Sequence, residues 1–333
     1  MSIPPLEMRL PPPDFVIVGA PKCGTTAAFA TLQKHPQLFL PDIKEPHYFA
    51  YDFPGYRGVR TVEDYDRLFA DAERKQLRGE ASVSYLSSKE ATAAILRRRP
   101  DAKFIALVRN PLDMFVSWHN QMYVLYEEEA ADPERAWILQ VERAQGLGIP
   151  KLCREPALLQ YKTLCSLGAQ IESLFRLVPE HQRLVIVFDD LQQHPRQTYE
   201  RIVDFLGIED DGTDRFVREN VFARPKNELI WRVLRAVNLN PGVKKLRLGL
   251  KPVWNKPGMR PVVWLLRRTF KTVAKPTLSR HFRRELQAAF APDVQLLGRL
   301  LCRDLSKLWS LAEGAAHLET RGGGSVLSLG RTL

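Results

Sequence analysis

The residues with the most chemical potential lie between Phe15 and Leu32, in FVIVGAPKCGTTAAFATL. An apolar run ends at Gly19, a turn carries Lys22, Cys23 and Gly24, and Thr25 and Thr26 open a helical stretch. Backbone N–H groups at a helix start, the positive end of its dipole, two hydroxyls and one ammonium make an anion site. The nucleoside-triphosphate pattern G-x-x-x-x-G-K-[ST] is not met, because Thr25 follows Gly24 and the lysine comes before it. Phosphate binding survives that displacement. A kinase assignment fits less well, since the apolar segment KFIALVRN (103–110) ends in Arg109, a cation where a magnesium-holding aspartate would sit. Asp189 and Asp190, at the end of LVIVFDDL (184–191), leave a metal site open there. A cysteine-phosphatase loop needs arginine six positions after Cys23, and Phe29 stands there. Cys23 therefore reads as a small residue packed in the turn.

Those groups need elements to hold them. FVIVGA, KFIALVRN and LVIVFDDL are short buried strands by their apolar runs, and helical segments fall around 62–70, 89–99, 134–145, 156–177 and 195–206. A further helix runs from Pro111 to about Tyr126. Strands alternating with helices predict an α/β fold, a P-loop-like three-layer arrangement with a central parallel sheet flanked by helices. Residues 1–13 form a proline-rich arm, 14–312 a single domain, and the glycine-rich 313–333 a disordered tail. After about residue 220 the chain reads as a basic helical appendage without a core of its own: 231–290 is a basic helical segment, and 277–312 predicts two helices, the second holding DVQLLGRLLCRDLSKLW.

The net charge of +11 is concentrated. Residues 231–290 carry fifteen Lys or Arg against Glu285 alone, so the rest of the chain is near −3. Such a block suits an anionic partner or forms a solvated helical face. In RPVVWLLRRTFKTVAK (260–275), Val263, Leu266, Phe270 and Val273 share one helical face with cations around it. That helix would either dock on the domain or lie at an anionic membrane surface. Without an apolar signal core or an 18-residue apolar run, the chain reads as cytoplasmic, with peripheral contact at the inner membrane surface as the variant. Four scattered cysteines and seven histidines show no metal-ligand spacing, so no metal is expected. Nucleic acid is not expected as a partner.

VGAPKCGTTAAFATLQKHPQL closely resembles the 5′-phosphosulfate loop of sulfotransferases that use 3′-phosphoadenosine 5′-phosphosulfate (PAPS). ALVRNPLDMFVSWHNQM resembles their 3′-phosphate motif, with Arg109 at a strand end and Ser117 eight residues on. PDIKEPHYF and GEASVSYL resemble successive elements of the heparan-sulfate-type enzymes and their bacterial relatives. LVIVFDDLQQHPRQTYERIVDFLGI and FAPDVQLLGRLLCRDLSKLW extend the resemblance to Trp309. It implies that Lys22, Cys23, Gly24, Thr25 and Thr26 hold the phosphosulfate, and that Lys22 steadies the leaving group. It implies Arg109 and Ser117 on the 3′-phosphate, with PAP, the desulfated nucleotide, as product and no metal required. Where the family has a third nucleotide loop this chain has NVFARPKNEL, with Arg224 and Lys226 as candidates but without the family's serines. For the base that takes the acceptor's proton, the resemblance favours Glu45, and His47 is the alternative. The acceptor would be a small molecule or a glycan, a carbohydrate or glycolipid above all. Two other functions are compatible with the residues alone: a divergent small-molecule kinase, or a non-catalytic protein that binds anionic glycan or lipid.

Overall fold

A computed structural model describes residues 12–214, 216, 223–227, 229, 270–272 and 276–310. Its centre is a five-stranded sheet in the order β2-β3-β1-β4-β5, parallel throughout. The strands are β1 (Phe15–Gly19), β2 (Leu38–Phe39), β3 (Leu77–Ala81), β4 (Lys103–Val108) and β5 (Arg183–Val187). β1 is buried along its whole length, as a strand covered on both faces must be. Phe15 lies opposite Gly79 on one side and Lys103 on the other. The chain leaves β1 toward the β2 edge and later crosses over it from β3 to β4, so the crevice at the carboxyl end of β1 is where a ligand belongs in such a sheet.

The helices that flank the sheet start where local chemistry tells them to. α1 (Thr25–Leu32) follows the glycine turn. α2 (Val62–Arg67) is capped by Thr61, whose side chain accepts from Asp64 N. α3 spans Ala91–Arg98. α4 (Pro111–Val124) has proline in its first turn and Asn110 accepting from Leu112 N at 3.0 Å. α5 (Pro133–Ala144) repeats that device with Asp132 as the cap. The stretch 156–177 is not one helix but a 3-10 turn at Pro156–Leu159, then α6 (Tyr161–Cys165) and α7 (Leu167–Leu177). α8 (Phe188–Gln193) and α9 (Pro195–Leu206) complete the main body.

Two expectations near the end of the chain are corrected. The first helix expected in 277–312 does not stop at Pro292: α10 is continuous from Arg280 to Leu300, and the short α11 is Leu305–Leu308. Phe282, Leu286, Phe290, Val294 and Leu297 form one buried stripe along α10 and join the main core. Each such side chain contributes about 1.5–3 kcal/mol relative to exposure, which outweighs the one hydrogen bond a proline removes. Asp293 adds a tie, its carboxylate accepting from Gly168 N at 2.7 Å and Ala169 N at 2.9 Å at the start of α7. The second correction concerns 260–275. Phe270–Thr272 is a strand, β7, paired antiparallel with β6 (Ala223–Pro225), so Phe270 does not continue a helix. Residues 260–269 and 273–275 lie outside the described residues, as do 1–11 of the proline-rich arm, 231–269 of the basic block and the 313–333 tail. Among the described residues no helix is long and apolar enough to cross a membrane.

Candidate active site

The turn after β1 is shaped by two glycines that nothing else could replace. Gly19 has φ +141°, and a Cβ there would lie 2.7 Å from Val83 O. Gly24 has φ +91°, and its Cβ would meet the Phe188 ring at 2.8 Å and Leu191 at 2.9 Å. Gly24 then caps α1 with backbone only, so the first N–H groups of that helix have no intrahelical acceptor. Thr25 is buried and Thr26 half-buried beside them. Cys23 is fully buried, with Sγ 3.4 Å from Pro21 O and 3.9 Å from Met114 Sδ, and burial pushes its thiol up to about 12. It is a packing residue rather than a nucleophile.

Lys22, at φ 63°, keeps its side chain outside the turn and donates from Nζ to Gln121 Oε1 at 3.1 Å. Arg109 arrives from just beyond the end of β4. Its Nη1 donates to Lys22 O at 3.1 Å and its guanidinium lies 4.5 Å from the centre of the Phe188 ring. Asp113, the local acid that could have neutralised it, is half exposed and 3.8 Å away, too far for a tight pair. Asp113, Ser117 and Gln121 follow one another at four-residue spacing along α4. The first meets Arg109 and the last meets Lys22, so Ser117, 8% exposed, lies on the stripe between them.

KEPH approaches from the β3 side. Glu45 N donates to Ala81 O at 2.9 Å, which extends the register of β3 by one bond. The Glu45 carboxylate takes Lys44 Nζ on Oε1 at 2.5 Å and His47 Nε2 on Oε2 at 3.3 Å. Burial pushes that carboxyl up, but the His47 and Lys44 contacts more than offset it and hold it at about 2. Glu45 and His47 both have positive φ, 66° and 50°, a conformation that non-glycine residues take only where their surroundings impose it. His47 is buried and stands 5.5 Å from the Tyr56 ring, centroid to centroid.

These pieces meet. Protein crowding on one side of the solvent-accessible Lys22 lowers its pKa, the Glu45 charge works against that, and Arg109 and Lys44 add to it. Lys22, Lys44, Arg109 and Glu45 thus share one electrostatic site at the carboxyl ends of β1 and β4. Three cations and a helix start can neutralise a polyanion, and one carboxylate stands beside them to accept a proton.

The remaining candidates belong to other elements. Arg224 is in β6, and Lys226 follows it, exposed. Asp189 and Asp190 belong to the first turn of α8, since β5 ends at Val187. Trp309 Nε1 donates to Asp189 Oδ2 at 3.1 Å and Arg303 Nη1 to Asp190 Oδ2 at 2.6 Å, so the pair fastens the segment around α11. Among the described residues no group of three His, Cys, Asp or Glu is placed to hold a metal. Tyr161 is core, its hydroxyl donating to Glu128, which also takes both arms of buried Arg143. Gln121 was not anticipated from the sequence.

The model of a family described as "Sulfotransferase domain" matches residues 12–245. The chain is 27% identical to mouse (Mus musculus) heparan sulfate glucosamine 3-O-sulfotransferase 3B1, over 61% of this chain and 48% of that protein. It is 30% identical to carbohydrate sulfotransferase 15 from the same organism, over 36% of this chain and 28% of that one. The chain thus spans less than half the length of either curated relative. Among solved structures, a sulfotransferase from Alicyclobacillus acidocaldarius superposes with a TM-score of 0.65 at 25% identity, over 90% of this chain and all of the other. The family match takes in the glycine turn, KEPH, the end of β4 and α4: the chain belongs to the sulfotransferase family.

Proposed function

We propose that the protein transfers a sulfuryl group from PAPS to a hydroxyl or amine of an acceptor, a carbohydrate or glycolipid in the first place. The observation that carries this reading is the shared site of Lys22, Lys44, Arg109 and Glu45 around the start of α1. PAPS, when bound, supplies a sulfuryl group already attached to a phosphate leaving group. The N–H groups at the start of α1, with Thr25 and Thr26, hold the phosphosulfate end, and Gly24 lets the backbone approach it. Cys23 shapes this loop by packing. Lys22 neutralises charge that develops on the bridging oxygen as the sulfur–oxygen bond breaks. Arg109 and Ser117 take the 3′-phosphate, the group that distinguishes this donor from ATP. Arg224 and Lys226 are the candidates for the third nucleotide contact.

The acceptor oxygen or nitrogen attacks sulfur as the bond from sulfur to the bridging oxygen breaks, and gives its proton to Glu45, whose carboxylate His47 holds from behind. A carboxyl held at about 2 is a weak base. Lys44 is the remedy: shared between Glu45 and an incoming anion, it loosens its hold on the carboxylate and lets its proton affinity rise. The names of the curated relatives support a glycan acceptor. The excess of Lys and Arg over 231–290 supports an anionic one, with an anionic membrane surface as the second use of that charge.

Charge neutralisation by Lys22 and Arg109 needs no metal ion. Transfer of radiolabelled sulfur from PAPS to a panel of glycans is therefore expected to proceed in EDTA and to fall by at least a hundredfold in Lys22→Ala. Magnesium-dependent phosphoryl transfer from ATP, with no transfer from PAPS, would overturn the proposal.

A further inference from the structure

Both ring nitrogens of His47 are engaged in a buried place. Nε2 stands 3.3 Å from Glu45 Oε2, and Nδ1 is 2.7 Å from Ser84 Oγ. A carboxylate can only accept, so a hydrogen bond at Nε2 requires the proton there. The neutral ring then has its lone pair on Nδ1, and a group that donates must meet it. Ser84 provides a hydroxyl that is itself 3% exposed. We infer that Ser84 is a positioning residue for the Glu45–His47 pair: its O–H donates to Nδ1 and thereby keeps the imidazole proton on Nε2, aimed at the carboxylate. This rests on the reading of Glu45 as the base in sulfuryl transfer.

The surroundings fix both ends of the contact. Ser84 lies in the turn after β3, where its carbonyl accepts from Ser88 N at 3.0 Å and Ser87 Oγ at 3.1 Å. His47 N donates to Ser82 Oγ at 3.0 Å, and Ser82 Oγ donates to Glu80 Oε2 at 2.8 Å. The other oxygen of fully buried Glu80 takes Tyr65 OH at 2.7 Å and Tyr85 OH at 3.0 Å. The rings of Tyr56 and Tyr85 flank the imidazole, with centroids 5.5 Å and 6.5 Å away. Held this way, the ring has little room to find another partner for Nδ1. Without the Ser84 hydroxyl, the proton can move to Nδ1, which turns the Nε2 lone pair toward a carboxylate oxygen. Alternatively, the ring takes a second proton and binds Glu45 as an ion pair, which weakens the base. The first outcome breaks the contact that holds the carboxylate in place and the second lowers its proton affinity; both act on Glu45 and leave donor binding alone.

The test reads the ring directly. In uniformly 15N-labelled protein, the His47 nitrogen shifts of the wild type are expected to show a protonated Nε2 and a pyridine-like Nδ1. Ser84→Ala is expected to populate the other tautomer or the imidazolium, while Ser84→Thr restores the wild-type pattern. With that change, Ser84→Ala should lose about tenfold in kcat and keep its PAP affinity, the size expected for one unsatisfied buried contact. A protonated Nδ1 in the wild type would overturn the inference, and so would wild-type nitrogen shifts in Ser84→Ala. The wild-type spectrum decides even where a variant folds poorly. Failure of the sulfuryl-transfer reading shows elsewhere, as a wild-type protein that does not turn over PAPS.

Discussion

Replacing Gly24 by alanine tests the geometry on which the anion loop depends. The backbone there has φ +91°, where a side chain costs about 1–2 kcal/mol in left-handed strain. The new methyl would also sit 2.8 Å and 2.9 Å from atoms of the Phe188 ring and 2.9 Å from Leu191. Forcing a methyl into packed side chains adds about 1–3 kcal/mol. Together the substitution should destabilise the protein by about 2–5 kcal/mol, or roughly 5–15 °C in Tm at the slope usual for a domain of this size. Gly146 is the control, because its φ is +80° and a Cβ there would have nothing within 4 Å. Gly146→Ala should therefore cost the strain alone, about 1–2 kcal/mol. Phe188 also underlies Arg109 at 4.5 Å, so displacing the ring should weaken PAP binding at least tenfold in Gly24→Ala and leave Gly146→Ala unaffected. Urea unfolding and calorimetric titration with PAP measure both effects. Equal unfolding costs for the two variants, or unchanged PAP affinity in Gly24→Ala, would refute the reasoning.

Glu45→Gln should abolish turnover while PAP affinity holds within a few-fold. The same substitution should lower stability at neutral pH by about 1–3 kcal/mol, since Lys44 and His47 hold the carboxyl at about 2 against an ordinary 4.5. That contribution is complete above about pH 4.5 and is lost as pH falls toward 2, so the urea midpoints of variant and wild type should converge over that window. Exposed Cys302 should react with iodoacetamide in the native protein, whereas Cys23, buried and pushed up to about 12, should label only on unfolding; mass spectrometry of the digest separates the two. Arg303→Ala should loosen the docking of α11 against Asp190 at a cost of about 1 kcal/mol, with a red shift in the fluorescence of Trp309, and added magnesium or calcium should not reverse it.

What could be read from the sequence follows from where the information resides. β1 is an apolar run and β4 is one after Lys103, and the glycine turn carries its own chemistry, so both strands and the loop between β1 and α1 were legible. β3 was not read as a strand. Leu77–Ala81 holds Arg78 and Glu80, and a fully buried glutamate fits there only because Tyr65, Tyr85 and Ser82 satisfy it. The apolar run LVIVF promised a longer β5. The chain turns helical at Phe188 instead, with Asp189 and Asp190 at the positive end of α8 and their partners Arg303 and Trp309 on either side of α11. The boundary expected between the two helices of 277–312 fell inside α10 for a similar reason: a stripe of buried side chains on both sides of Pro292 decides the matter, and burial is a property of the fold. Of the proposed site, Lys22 and Arg109 could be picked out by type and place in the chain, and Glu45 through the resemblance of KEPH. The roles of Gln121 and Ser84 could not, because each depends on a contact with a residue distant in the chain.

Calorimetric titration of the protein with PAP, with and without magnesium and beside ATP, tests the central claim most directly. The account predicts binding at micromolar concentration or tighter that ignores magnesium, exceeds that of ATP and is lost in Arg109→Ala. Preference for ATP with magnesium, or PAP binding that survives removal of the Arg109 guanidinium, would contradict it.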